Sequence, residues 1–346
     1  MTATLIYIGQ EIYQDTALVG YFERALHEHN IFTNECYRTE DSSDAVFDLL
    51  KRVLNTAEMI FIAASKESFS TALDILETLV PHPSNTKQIE KNSYLIQNSN
   101  MTCHLFLLQN GEALPKLLIK ADALFSSWQF FGTKQQLHIL KQHIFDAGYH
   151  FGFSQIIDGW YEIRTDCDNT SLERYYALIQ DKATSIIASE NIFDYLIKTF
   201  ARQNKTVTFA ESCTGGLIAS AFTSRSGSSD ILYVSMVTYA NSAKHDWLDV
   251  DETIFERHGA VSEACVRAMA EGARARARSD IAIATSGIAG PAGGTPLKPV
   301  GTVYIAVSDS RQTRAKHLLL KGDRNYIQYQ AMMHAVKLMI EMGNGI

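Results

Sequence analysis

Strand-length apolar runs alternate with stretches of helical spacing along most of the chain, and this alternation limits the fold more than any other feature. "TLIYIG" precedes "TALVGYFERALHEHN", in which Leu18, Tyr21, Phe22 and Ala25 share one helical face. "AVFDLLKRVLN", "EMIFIAAS" and "FSTALDILETLV" then read helix, strand, helix, and the polar connector "PHPSNTKQIEKN" leads to the strand pair "SYLIQN" and "CHLFLLQ". Strands that alternate with helices build parallel sheets with helical crossovers. From about Ala121 the pattern changes to the amphipathic helix "QQLHILKQHIFDAG", the strand "GWYEIRTD" and the helix "SLERYYALIQDKATS". From Ile187 the alternation returns with the helix "IFDYLIKTFARQN", the strands "TVTFAE" and "ILYVSMVTYA", and the helix "SEACVRAMAEGARARARSD". "IAIATSG", "GTVYIAVSDS" and the edge strand "AKHLLLKG" follow, then a long terminal helix, "RNYIQYQAMMHAVKLMIEMG". The expected class is α/β in three parts: an α/β domain over 1–120, a small α+β linking domain over 121–186, and an α/β domain over 187–346.

With 346 residues the chain is long for one core. A formal net charge of −7 argues against a general nucleic-acid binder, and "RARAR" at 274–278 reads as the solvated face of a helix. No apolar run nears the roughly 18 residues that span a bilayer. The start, "MTATLIYIGQEIYQD", has neither a basic n-region nor a small-residue cleavage site, so no signal peptide is expected. Cys36, Cys103, Cys167, Cys213 and Cys265 are odd in number and scattered, with no CxxC. That pattern argues against a disulfide framework or zinc site and for a reducing, cytoplasmic compartment.

The chemistry concentrates after "TVTFAESCTGG", Thr206–Gly216. Strand, turn and helix in that order place Ser212, Cys213 and Thr214 at a sheet's carboxyl edge, beside the unpaired amides of a helix N-terminus. Three readings stay open. Ser212 or Thr214 is a helix cap. The turn is a phosphate cradle, although it lacks the GxxxxGK[ST] spacing. Or Ser212 is a nucleophile, which needs a base. Tyr239 and Lys244 in "VTYANSAKHDW" end the next apolar strand, and neighbouring strand ends converge on one crevice. A desolvated Lys244 there would lose basicity and take the Ser212 proton, with Tyr239 orienting it and the amides near Gly215 and Gly216 receiving an oxyanion. A third element, "SGIAGPAGGTPLKPVGTV", is a glycine- and proline-rich loop whose one cation is Lys298, and "GDR" brings Arg324 and the capping Asp323. HExxH, GxSxG, a GxGxxG after a strand and usefully spaced carboxylate pairs are all missing. Cys213 is the rival nucleophile.

In order along the chain, "AESCTGG", "VTYANSAK", "HGAVSE", "SGIAGPAGG…KPVGTV" and "GDR" resemble the motifs of the CinA C-terminal family, which includes nicotinamide-nucleotide (PncC-like) amidohydrolases. The resemblance covers roughly 187–342. It implies hydrolysis of the carboxamide of nicotinamide mononucleotide to nicotinate mononucleotide and ammonia by a serine–lysine amidase, without metal or cofactor. Carried over by motif, Ser212 is the nucleophile, Lys244 the base and Tyr239 an assistant. Cys213, Thr214, Gly215, Gly216, Ser286, Gly287, Gly290, Gly293, Gly294, Lys298, Gly301, Thr302 and Arg324 would form the substrate pocket, with a helix N-terminus and Lys298 serving the phosphate. A homodimer is implied as well, and a small nucleotide as ligand rather than nucleic acid or membrane. Two alternatives remain: the same dyad acting on another amide, and a non-catalytic nucleotide-binding or scaffolding protein.

The front region, "IYIGQEIYQDTALVGYFERAL", resembles the first motif of the CinA N-terminal domain, which is similar to molybdopterin-binding folds and acts in that family as a metal-dependent ADP-ribose pyrophosphatase. The chain departs from that pattern. "AASKESFSTALD" stands where the family has a glycine-rich GGxGPTxDD loop, and Ala17 stands where an asparagine is expected. Without those glycines and one of the carboxylates, neither a diphosphate cradle nor a metal site is expected. The implied outcome is a retained fold with the activity lost. "FFGTKQQLHILKQHIFDAGY…GWYEIRTD" resembles the family's small linking domain.

Overall fold

The computed structural model describes residues 2–15, 18–20, 22, 23, 26, 31–80, 86–98, 100–109, 126–181, 184–189 and 191–343. Contacts divide the chain into two units, Met1–Ala123 and Leu124–Ile346. The helix expected across "TALVGYFERALHEHN" lies partly outside the described residues, as does Ala17.

The first unit is built on one mixed sheet of strands β1 (Thr2–Ile8), β2 (Phe32–Thr39), β3 (Met59–Ala64), β4 (Thr86–Glu90), β5 (Ser93–Gln97) and β6 (Thr102–Leu107), in the order β2-β1-β3-β6-β5-β4. The first four in that order run parallel, and β5 and β4 are antiparallel additions. The alternation of strands and helices predicts the parallel part. β4 corrects the reading of "TKQIE" as connector: it is a half-exposed strand that pairs, among the described residues, with β5 alone, so it carries no apolar face. Where β1, β2 and β3 end, Gly9 leaves no room for a side chain, because a Cβ there would lie 2.6 Å from Ser65 Oγ. Ser65 and Ser68 share a hydroxyl bond of 2.7 Å, and Ser68 Oγ donates to Asp41.

The second unit holds two sheets. The smaller, in the order β10-β7-β9-β8, is antiparallel: β7 (Ser126–Phe131), β8 (Phe151–Ile157), β9 (Trp160–Thr165) and β10 (Ser185–Ala188). Helices Lys134–Asp146 and Asn169–Ala177 pack on it through Leu137, Leu140, Ile144 and Leu172. The larger sheet has the order β12-β11-β13-β14-β15: β11 (Val207–Glu211), β12 (Leu232–Val237), β13 (Ile281–Gly287), β14 (Thr302–Ser308) and β15 (Thr313–Leu319). β12, β11 and β13 are parallel, and β13, β14 and β15 antiparallel.

Period-2 alternation sorts this larger sheet by side-chain size. Val207, Phe209, Ile281, Ile283, Val303, Ile305 and Val307 share a core with Ile192–Arg202, Leu217–Thr223 and the terminal helix Arg324–Glu341. Ala210, Ala282, Ala284 and Ala306 share another with helix Glu263–Ala277. Small residues on that face let the helix lie close. Phe131, Ile157 and Trp160 of the small sheet belong to the first of these cores, so the two sheets of this unit are packed together. Among the described residues no helix is long and apolar enough to cross a membrane.

Candidate active site

The three parallel strands β11, β12 and β13 end level with one another. Glu211 is in register with both Val237 and Thr285, Ser212 N–H donates to Thr285 O at 3.1 Å, and Thr238 N–H donates to Glu211 O at 2.8 Å. The residues that follow each strand therefore meet at one edge. A cleft of about 270 Å³ opens there, lined by Ser212 and Cys213 after β11, Tyr239, Asn241 and Lys244 after β12, Ser286 and Gly287 at the end of β13 with Ile288–Gly290 after it, and by Ala260, Val261, Ala292, Gly293 and Arg324. Its volume lies near the lower end of the roughly 300–1,000 Å³ of small-molecule sites.

Lys244 lies on helix Asn241–Leu248 and is 1% exposed. Its ammonium nitrogen donates to Thr238 O at 2.9 Å and Tyr239 O at 3.0 Å. Among the described residues no carboxylate pairs with it, and burial lowers its pKa from the ordinary lysine value. Cys213, beside Ser212, is buried, and burial pushes its thiol up to about 12. Burial thus disfavours the Cys213 thiolate, and Ser212 supplies the other cleft-lining side chain of the turn with a nucleophilic atom.

The turn is held by a residue that the sequence reading left without a role. Glu211 is fully buried, and its carboxylate accepts from the amides of Gly216 (3.0 Å), Ile218 (3.1 Å) and Ala219 (2.9 Å). Gly215 and Gly216 adopt φ of 63° and 100°, which swings the chain so that these amides face the carboxylate. This corrects three expectations. Neither Ser212 nor Thr214 caps the helix; Thr214 Oγ1 shares a 2.7 Å bond with Thr285 Oγ1. The Gly216 amide is taken by Glu211 and the Gly215 amide by Ser212 O at 3.2 Å, so neither is free for an oxyanion. The N-terminus of Leu217–Thr223 holds a protein carboxylate where a substrate phosphate was expected. A glutamate closing the strand just ahead of the turn was the signal available in "AESCTGG".

The predicted residues divide clearly. Ser212, Cys213, Tyr239, Lys244, Ser286, Gly287, Gly290, Gly293 and Arg324 line the cleft, while Thr214, Gly215, Gly216, Gly294, Lys298, Gly301 and Thr302 do not. Gly301 is glycine because the chain passes close to itself: at φ 93° a Cβ would lie 1.9 Å from Leu320 O. Thr302 Oγ1 donates to Pro299 O at 2.7 Å. Lys298 donates to His258 O at 2.9 Å and Val261 O at 2.7 Å, so two of its three donors are held by backbone carbonyls. Arg324 takes a cleft position instead, donating to Gly290 O at 2.8 Å and to Tyr239 Oη at 3.1 Å. Asn241, Ala260 and Val261 line the cleft without having been singled out from sequence. Gln328, one helical turn past Arg324, donates to Cys213 O at 2.6 Å and ties the terminal helix to the serine turn.

The strand ends thus converge on a cleft that carries a serine and a desolvated lysine at the sheet edge of an α/β domain. Residues 189–342 match the family model of the CinA C-terminal domain. A CinA-like protein of Syntrophotalea carbinolica is 43% identical over 143 residues, 41% of this chain and 35% of that protein. The crystal structure of the competence/damage inducible protein CihA from Agrobacterium tumefaciens shows 36% identity over 44% of this chain and 95% of its own, with a TM-score of 0.43. A competence-damaged protein (CinA) superfamily structure from Escherichia coli shows 32% identity over 44% and 88%, with a TM-score of 0.43. Residues 189–342 therefore belong to the CinA C-terminal domain family. The chain spans less than half the length of the curated relatives it matches.

Proposed function

We propose that the cleft hydrolyses a carboxamide, with nicotinamide mononucleotide as substrate and nicotinate mononucleotide and ammonia as products. The observation that carries this reading is Lys244, a buried lysine with no carboxylate partner among the described residues, lining the same cleft as Ser212. Neutral Lys244 takes the Ser212 proton as Oγ bonds to the carboxamide carbon and the carbonyl electron pair moves onto oxygen. The amides of Cys213 and Thr214, which directly follow Ser212 in the turn, are the donors proposed for that oxyanion. Collapse of the adduct breaks the C–N bond, and the Lys244 ammonium returns the proton to the leaving nitrogen, releasing ammonia. Water cleaves the acyl-serine by the same route and restores Ser212. The pyridinium of the substrate withdraws electrons and favours attack. Arg324 has guanidinium donors beyond the two it spends on Gly290 and Tyr239, which suits it to the substrate phosphate.

Ammonia release from nicotinamide mononucleotide in the presence of EDTA tests the reading. Wild type is expected to turn over, and Ser212→Ala and Lys244→Ala to lose at least about a thousand-fold in kcat. Full activity in Ser212→Ala would overturn the mechanism, and a folded but inactive wild type would move the function to another amide or to binding alone. For the first unit, the reading is a fold without pyrophosphatase chemistry. It is supported by Ser65, Ser68 and Asp41, which bond to one another at the strand ends where a diphosphate would have to sit.

A further inference from the structure

Lys298 lies outside the cleft, yet its side chain joins two stretches of chain that form it. It belongs to the glycine-rich loop after β13, whose first part, Ile288–Gly290 with Ala292 and Gly293, lines the cleft. Its ammonium reaches His258 O and Val261 O, at either end of the turn that supplies Ala260 and Val261 to the same cleft. Both contacts are charge-assisted and short, at 2.9 and 2.7 Å. The loop is also held at its base, where Ile288 N–H donates to Thr302 O and Gly301 N–H to Ile288 O, both at 2.8 Å, and by Arg324, which donates to Gly290 O at 2.8 Å. Two serines also bond to this turn: Ser286 Oγ donates to Ala260 O at 2.8 Å and Ser262 Oγ to Gly259 O at 2.7 Å, but of the three side chains only those of Lys298 and Ser286 come from the stretch after helix Glu263–Ala277. Around Lys298 the chain is shaped to present the amine: Thr295 N–H donates to Lys298 O at 2.8 Å, and Lys298 N–H donates to Thr295 Oγ1 at 3.0 Å.

We propose that Lys298 is a positioning residue, a clamp that sets the spacing between the glycine-rich loop and the His258–Val261 turn and so fixes the substrate-binding part of the cleft. The proposal rests on the amidohydrolase reading for its kinetic test only. Ser212 directly follows β11 and Lys244 stands on helix Asn241–Leu248, each with hydrogen bonds of its own, so a loosened clamp disturbs substrate placement more than the proton transfer. Two of the three ammonium donors of Lys298 are taken by carbonyls outside the cleft lining, and the phosphate-free substrate below separates the clamp from a direct role in binding.

The experiment compares wild type, Lys298→Met and Lys298→Arg with two substrates, nicotinamide mononucleotide and nicotinamide riboside, which lacks the phosphate. Lys298→Met is expected to raise KM about ten-fold for both substrates while kcat moves less than about two-fold, with Lys298→Arg recovering most of the affinity. A penalty confined to the phosphorylated substrate would overturn the proposal and make Lys298 a phosphate ligand. Hydrogen exchange gives a readout that needs no turnover. Lys298→Met is expected to speed exchange across 288–301 and 258–262 and to leave 207–220 unchanged. Unaltered exchange in the first two segments would overturn the clamp. Wild type inactive on both substrates would instead refute the amidohydrolase reading, and the exchange result would then decide the clamp by itself.

Discussion

Lys244 is where the chemistry is most exposed to test. A protonated amine cannot accept the Ser212 proton, so the reaction needs the neutral form. Burial lowers the pKa, which brings the neutral form within reach at lower pH than for a surface lysine. We expect kcat/KM to rise with pH through an apparent pKa below the ordinary lysine value and to fall on the acid side of it. A pH–rate profile whose ascending limb sits at or above that of a free lysine would show that Lys244 is not the base. The sequence could place Lys244 after an apolar strand and so near Ser212. It could not show its burial, because a lysine on a short helix reads as a surface residue until the carbonyls of Thr238 and Tyr239 are seen turned toward it. Lys298 went the other way. The only cation of a glycine-rich loop looks like an anion site, and which carbonyls lie within its reach is a matter of tertiary structure.

Among elements, those with strong periodicity were legible: the parallel strands other than β2, whose "FTNECYRT" is mostly polar, the helix Glu263–Ala277 and the terminal helix. β7 was not, since it is largely buried on both faces yet carries Ser127 and Gln129, whose sheet position makes sense only through partners such as the Trp160 indole, donating to Gln129 Oε1 at 2.8 Å. β8 and β10 are short or mostly exposed and lack a clean alternation. Packing also reverses a propensity argument. Gly272 sits inside helix Glu263–Ala277, where replacement by Ala ordinarily gains about 1 kcal/mol. A Cβ at this position would lie 1.9 Å from the Leu248 carbonyl oxygen and 2.8 Å from its carbon, both rigid backbone. Gly272→Ala is therefore expected to destabilise the protein by about 1–3 kcal/mol. Leu248 ends the helix that carries Lys244, so activity should fall as well. Denaturant unfolding reads the sign directly, and a gain in stability would mean that the two helices separate at no cost.

For the whole molecule, the question is how much of the chain the cleft needs. Every residue lining it lies beyond residue 211, within the unit Leu124–Ile346, and the core behind it closes inside that unit. The family match begins only at residue 189, so sequence alone favours cutting there. The core argues otherwise: Trp160 is fully buried, Phe131 and Ile157 nearly so, and all three cover apolar surface of the domain that follows. Lys337 of the terminal helix, moreover, donates to Asp158 O at 2.8 Å. Removing the small sheet would return that surface to water, and burial of one large apolar side chain is worth about 1.5–3 kcal/mol. A chain of residues 124–346 is expected to keep the KM and kcat of the full protein. A chain of residues 189–346 should melt lower than 124–346 by roughly 5 °C or more. The full chain should release no product from ADP-ribose with a divalent metal present. Equal melting of the two fragments would show that the small sheet rests on the domain without supporting it, and turnover of ADP-ribose would return the first unit to the enzymes.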